Sequence, residues 1–178
     1  PQHASDDTKQ FWMRDPHGQL VPLASPWLLK RHDPVRKPAD LAQFALIEAG
    51  DAHASHLEWL LWRRWLDAYA PPKFAPKGWL YFSYAYQMVQ AALAGQGIVL
   101  GRLPLVAESI ANGDLVEVLP KSAGHVRVDS PLAYFLVRSP RSADRPEIRA
   151  FCDWLREQAQ ETRRTIGEVP DPDTLADP

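Results

Sequence analysis

The residues able to do chemistry in this chain are few, and most fail on spacing. His53 and His56 stand three apart, a separation that could ligate zinc. No third ligand stands near them, and their Ala/Ser-rich polar segment suits solvated imidazoles. No Ser/His/Asp arrangement forms a catalytic motif. Cys152 is the single cysteine; it falls on the apolar stripe of a long helix and reads as inert core rather than nucleophile. Gly95-x-Gly97-x-x-x-Gly101 is not a dinucleotide fingerprint, because it follows a helix and precedes a strand, the reverse order. Arg63-Arg64 and Arg163-Arg164 suit solvated faces. What remains is helix starts. A helix N-terminus offers free N–H groups and partial positive charge, suited to a carboxylate or other anion. Ser25 and Ser83 each open a helix after a strand, and open α/β sheets gather ligands at the carboxyl ends of strands. Tyr84 follows Ser83 and would line the same wall. Each serine can instead be a cap alone, and Ser25 fits that role better than a ligand contact.

The elements that must position these residues are legible from period and punctuation. Leu20–Ala24 reads as a strand, and Ser25-Pro26 starts a short helix through Lys30, with serine as cap and proline at the first helical position. Pro38-Ala39-Asp40-Leu41-Ala42 starts another, and Phe44–Glu48 fits a strand. Leu57, Leu60, Leu61, Trp65 and Ala68 recur at helical spacing, which predicts a helix over Leu57–Tyr69 ended by Pro71-Pro72. Trp79–Phe82 is then a strand and Ser83–Ala94 a helix capped by Ser83. That helix stops at Gly95 or Gly97, since glycine takes the left-handed conformation freely. The apolar run Ile98–Leu100 suits a strand covered on both faces. Pro104–Asn112 follows as a helix, Leu115–Leu119 as a strand, Ala133–Val137 as a last strand and Arg145–Thr165 as a long helix. Alternation of this kind is an α/β pattern.

Composition excludes classes without naming one. At 178 residues with a 46% hydrophobic fraction, the chain can bury the core of one domain or two small lobes. A net charge of -2 gives no general attraction to nucleic acid. No run approaches a membrane span, and the polar start Pro1–Asp7 shows no signal peptide. One cysteine rules out an intrachain disulfide framework and fits a reducing compartment. Seven tryptophans read as core and lobe packing rather than a sugar or base platform.

Four landmarks stand in a fixed order: Leu20–Leu29 with its Ser-Pro turn, Lys37-Pro38-Ala39-Asp40-Leu41, Trp62-Arg63-Arg64-Trp65-Leu66, and Gln90–Gly101 continuing to Gly113-Asp114-Leu115-Val116. In this order they resemble the effector-binding domain of LysR-type transcriptional regulators, in the branch of the glycine-cleavage activator. The resemblance implies an α/β, type II periplasmic-binding-protein-like fold, with the second lobe complete and the first only partly present. Residues 1–17 would be a partly mobile N-terminal segment and residues 18–128 the second lobe. Residues 129–165 would return a strand and helix to the first lobe, and 166–178, with three prolines and four acidic side chains, would be a disordered tail. It also implies a bacterial, cytoplasmic protein that is no enzyme and needs no cofactor or metal. A small anionic or polar effector would bind between lobes, near Ser83, Tyr84 and Tyr134, the last matching an effector-facing tyrosine of related regulators. The chain would pair as dimer or tetramer, through the helix from Pro104 or the one around Phe151-Trp154-Leu155. DNA would be met only through an N-terminal domain absent from this sequence. Two other classes share the pattern: a solute-binding protein or enzyme lobe on the same fold, and a ligand-free dimerisation module.

Overall fold

Apolar runs become strands and amphipathic stretches become helices in a computed structural model, which describes residues 18–50, 62–120, 126–130 and 145–166. The chain divides into two compact units, residues 19–130 and residues 1–18 with 131–178. The first unit is built on a mixed sheet. Its strands are β1 (Gly18–Ala24), β2 (Ala45–Ala49), β3 (Gly78–Phe82), β4 (Ile98–Arg102), the two-residue β5 (Val116–Glu117) and β6 (Val128–Ser130). The order across the sheet is β3-β2-β4-β1-β5, with β6 also paired to β1. β2 runs parallel to β3 and β4, whereas β1 runs antiparallel to β4 and β5.

Register sorts the side chains onto two faces. Leu46 of β2 lies beside Ile98 of β4 and Trp79 of β3, so these share a face with Leu20 and Leu100. That face receives α2 (Trp62–Tyr69), whose Trp62 and Trp65 are fully buried in the same cluster. The two indoles meet edge to face at 5.4 Å, the aromatic geometry favoured by ring quadrupoles. Each indole N–H finds a backbone carbonyl: Trp62 donates to Ile47 at 2.9 Å and Trp65 to Val126 at 2.8 Å. Tyr69, one turn on, donates to the Arg127 carbonyl at 2.7 Å. These three bonds tie the segment before β6 and the middle of β2 to the helix, and Arg63, Arg64 and Asp67 face outward. The opposite face carries Leu23, Ile47 and Val99, all buried, and receives α3 (Ala85–Leu93) through Met88, Ala91 and Ala92. β4 is buried along its whole length, as an apolar run covered on both faces requires. Fully burying one such aliphatic side chain stabilises by about 1.5–3 kcal/mol.

α3 stops at Gly95, not Gly97. Gly95 has φ +71, and the Gln96 N–H reaches back to the Ala91 carbonyl at 3.0 Å while the Gly95 N–H bonds Ala92. Gly97 is needed for another reason. A Cβ there would stand 2.6 Å from the Ala45 carbonyl oxygen, so the small residue lets β4 approach β2. After β4 come α4 (Leu103–Ala111), with Pro104 in its first turn, and β5. Of the second unit, α5 (Pro146–Ile166) is described; Cys152 is buried on it, as the sequence predicts.

Several expectations need correction. The short helix expected from Pro38 is present and is of the 3-10 kind, Pro38–Gln43. Its Asp40 carboxylate turns back to accept the backbone N–H groups of Arg36 and Lys37 at 2.9 and 3.1 Å. Leu115–Leu119 shrinks to two ladder residues, because β5 meets only the end of β1. β6 comes earlier than the last strand predicted from sequence, and that strand, Ala133–Val137, lies outside the described residues, as do the helix residues Leu57, Leu60 and Leu61. The tryptophans are not uniformly core: Trp62 and Trp65 are, but Trp27, Trp79 and Trp154 are exposed.

Candidate functional site

Strand direction decides which candidate residues can act together. β1 is antiparallel to β4, which runs parallel to β2 and β3, so the carboxyl end of β1 lies on the side of the amino ends of β4, β2 and β3. Ser25, just past that end, therefore stands at the amino rim of the parallel strands. Ser83, just past β3, stands at their carboxyl rim. Several residues of strand and several strand spacings separate them, roughly 20 Å in all. The two serines do not share a site.

At the amino rim the polar groups are consumed by structure. Ser25 is buried, and its Oγ accepts the Leu28 N–H at 3.4 Å, capping α1 (Pro26–Leu29) with Pro26 at the first helical position. Trp27 lies against Gly95, where an added Cβ would meet the ring at 2.6 Å, and the Arg31 guanidinium sits 4.7 Å over that indole. Nearby, an open depression of about 640 Å³ is lined by Asp33, Arg36, Lys37, Asp40 and Gln43. Its polar groups bond one another: Gln43 accepts the Asp33 N–H and donates to the Asp33 carbonyl, both at 3.1 Å. Two backbone donors hold the Asp40 carboxyl below the usual carboxylate range, that of Arg36 having the larger effect.

The carboxyl rim is different. Here the sequence expectation for Ser83 fails in one respect. α3 begins at Ala85, its N-cap is Tyr84, and no side chain caps it. Tyr84 remains extended, φ -128 and ψ 138, so Ser83 falls in a bend one residue too early to cap. Ser83 and Tyr84 are both exposed. The next helix on this rim, α4, has Arg102 as N-cap and likewise no side-chain cap. Two helix starts, each a concentration of backbone donors and partial positive charge, thus share one rim. Arg102 closes β4 at this rim and is only 5% exposed. Sequence reasoning missed it; the signal was an arginine closing an otherwise apolar strand directly before Leu-Pro. Between them, Glu48 near the end of β2 accepts the Trp62 N–H at 2.9 Å. Burial pushes its carboxyl up, and that hydrogen bond opposes the rise. Tyr134, His53 and His56 lie outside the described residues. Among the described residues, no group of three or more His, Cys, Asp or Glu could hold a metal ion. Nor is any described helix long and apolar enough to cross a membrane.

This architecture defines an α/β domain of the type II periplasmic-binding-protein class. Solved structures carry the same fold. The AmpR effector binding domain from Citrobacter freundii superposes with a TM-score of 0.57 at 20% identity, covering 89% of this chain and 70% of that one. The regulatory domain of CrgA from Neisseria meningitidis gives 0.56 at 21% identity, covering 89% and 72%. Over residues 12–160 the sequence matches the family model described as the LysR substrate binding domain. The chain belongs to the LysR substrate-binding domain family. A similar sequence is the glycine cleavage system transcriptional activator homolog of Haemophilus influenzae, 33% identical over 141 residues, which make up 76% of this chain and 41% of that protein. The HTH-type transcriptional regulator DsdC of Escherichia coli is 28% identical over 144 residues, 81% and 44% of the two chains. This chain spans about two fifths of the length of the curated relatives it matches. The relatives named here are transcriptional regulators rather than enzymes.

Proposed function

We propose that this chain is the effector-sensing part of a DNA-binding transcription regulator. A small anionic or polar molecule binds at the carboxyl rim of β3 and β4. The observation that carries this reading is the pair of α3 and α4 starts, both lacking a side-chain cap, beside the buried Arg102. Backbone donors at helix starts suit a carboxylate, since hydrogen bonds to an ionised acceptor are the strong ones. Ser83 supplies a hydroxyl that capping does not use, and Tyr84 an exposed ring with a polar tip. Tyr134 is kept as a candidate on the strength of the family resemblance. Ser25 is assigned a structural role instead. Binding shifts the population between two arrangements of paired copies, and so repositions a DNA-binding domain carried elsewhere in the whole protein. The setting is the cytoplasm, where the DNA is, and no catalytic step, metal or cofactor enters.

A thermal-shift screen across organic acids, amino acids and cell-wall fragments tests this, because a ligand of the native state raises the melting temperature. A hit is then titrated into Ser83→Ala and Tyr134→Phe. Weakened binding in either variant, with the fold intact, supports the rim. A screen without any stabilising compound, or a hit whose affinity neither change alters, refutes the site.

A further inference from the structure

Charge is not spread evenly over residues 19–130. The chain leaves β1 at the amino rim and must reach the amino end of β2, so residues 25–44 stay on that rim. The segment after α2 enters β3 at the same rim, and its Lys77 N–H bonds the Phe44 carbonyl at 3.0 Å. Lys30, Arg31, Arg36, Lys37, Lys73 and Lys77 lie on these two segments, and all six are exposed. Among the described residues, none of the six takes part in an ion pair. The described carboxylates of this rim are Asp33, Asp40 and, before β5, Asp114. Six cations against three carboxylates make the rim basic in a chain whose net charge is -2. Their backbone is fixed. Arg36 and Lys37 leave from a turn held by the Asp40 carboxylate, and Arg31 lies 4.7 Å over the Trp27 ring. Lys73 has φ 63, a left-handed conformation that glycine adopts more readily, so a lysine stands there against its backbone preference.

We propose that the amino rim of this sensing unit rests on the phosphodiester backbone of duplex DNA, without reading its sequence. The contact is separate from the sequence-reading domain proposed above and adds to it. From the end of β1 to the start of β3 the cations span three strand spacings, about 15 Å. One DNA strand presents a phosphate every ~3.4 Å of axis, so about four fall within that span. A regular row of phosphates fits cations held on ordered backbone better than the carboxylates of an acidic protein segment do. A net charge of -2 averages over this asymmetry, which is why the sequence as a whole shows no attraction to nucleic acid. Non-specific contacts of this kind bind with a Kd of about 10⁻⁴–10⁻⁶ M. A DNA-binding domain in the same protein holds the duplex at an effective concentration on the order of 1 mM, at which even the weak end of that range is occupied. The choice of DNA as the polyanion rests on the proposed function; the charge of the rim does not.

Fluorescence anisotropy of labelled duplexes of two unrelated sequences, titrated with the full chain, tests it. Both duplexes should bind equally. Four phosphate contacts predict an affinity that falls about a hundredfold between about 50 mM and about 200 mM salt. Arg36→Gln with Lys37→Gln, or Lys73→Gly with Lys77→Gln, removes two contacts and should reduce that fall to about tenfold. Lys73→Gly also relaxes the backbone, so its charge is removed without loss of fold. Arg63→Gln with Arg64→Gln, exposed on α2 away from the rim, should behave as the wild type does. Melting curves confirm that each variant folds. A wild type that binds neither duplex at the lower salt overturns the proposal, as does a preference for one sequence. So does binding that the α2 changes weaken as much as the rim changes. Poly-glutamate displacing the chain as well as unlabelled duplex at equal charge would assign the rim to an acidic protein instead and overturn it too. A stabilising effector found in the screen, with no duplex binding, sinks this inference and leaves the carboxyl-rim reading standing.

Discussion

The amino rim of the parallel strands and the carboxyl rim carry similar residues and use them in opposite ways. At the amino rim a serine, an aspartate and a glutamine are bound to nearby backbone: Ser25 to Leu28, Asp40 to Arg36 and Lys37, Gln43 to Asp33. Glycine lets neighbours close in, a tryptophan ring at Gly95 and a strand at Gly97. At the carboxyl rim α3 and α4 begin without side-chain caps, and Ser83 stands one residue short of capping α3. One end of the sheet commits its polar groups to folding. The other begins two helices that no N-cap side chain closes, because β1 runs against β4 and places its own cap at the far end.

The largest effect expected from this contrast is at Gly97. Gly97→Ala puts a Cβ against the Ala45 carbonyl and the Ile47 side chain, where backbone must move, and should cost about 3 kcal/mol. Thermal unfolding would then fall by several degrees, about 2–4 °C for each kcal/mol in a chain of this size. A change within about 0.5 kcal/mol would mean that β4 and β2 tolerate a wider spacing, and the packed rim would lose its main support.

The two serines give the sharper comparison. Ser25→Ala should cost about 1 kcal/mol of stability through the lost cap and leave ligand affinity unchanged. Ser83→Ala should do the reverse. Its stability should stay within about 0.5 kcal/mol of wild type. Affinity for a hit from the screen should fall by about 1–2 kcal/mol, roughly tenfold, as a buried ligand group loses its partner. Denaturant titration and calorimetric binding, run on both variants, read the two quantities separately. Equal behaviour of the two variants would erase the distinction between the rims.

The smallest effect concerns pH, and its sign differs between the rims. Asp40 has its carboxyl lowered by the backbone N–H groups of Arg36 and Lys37. Its contribution is present above the ordinary carboxylate pKa and is lost as pH falls through the lowered value, so Asp40→Asn should flatten part of the acid limb. Glu48 has its carboxyl raised by burial. The folded state holds the extra proton more tightly, so this contribution is complete below the ordinary pKa and is lost as pH rises through the raised one. Glu48→Gln keeps an acceptor for the Trp62 N–H and should gain on the wild type from acid toward neutral pH. Parallel pH–stability curves for the two variants would expose the error if both bent the same way.

Much of this was legible before any coordinates. Ile98–Leu100 is buried on both faces because apolar runs between glycines have nowhere else to go. The Ser25-Pro26 cap and the long helix ending at Ile166 follow from local chemistry alone. Local chemistry also misled. A serine between strand and helix is a good cap, but Tyr84 stays extended and the helix starts past reach. Strand direction is not a local property either. Nothing in Leu20–Ala24 says that it opposes Ile98–Arg102, so the separation of Ser25 from Ser83 could not be read from spacing. Exposure of Trp79 was hidden for the same reason: an edge strand and a central one look alike in five residues.

β1 and β6 are neighbours in the sheet, and they are also where the chain enters and leaves residues 19–130. The first and last strands of this unit are therefore paired. New ends can be opened at the exposed turn around Gly113, which has φ +77 and open space about it. The unit is topologically a cassette: its first and last strands are paired, so moving it whole, from the Gly18 that opens β1 to Ser130, keeps its sheet together.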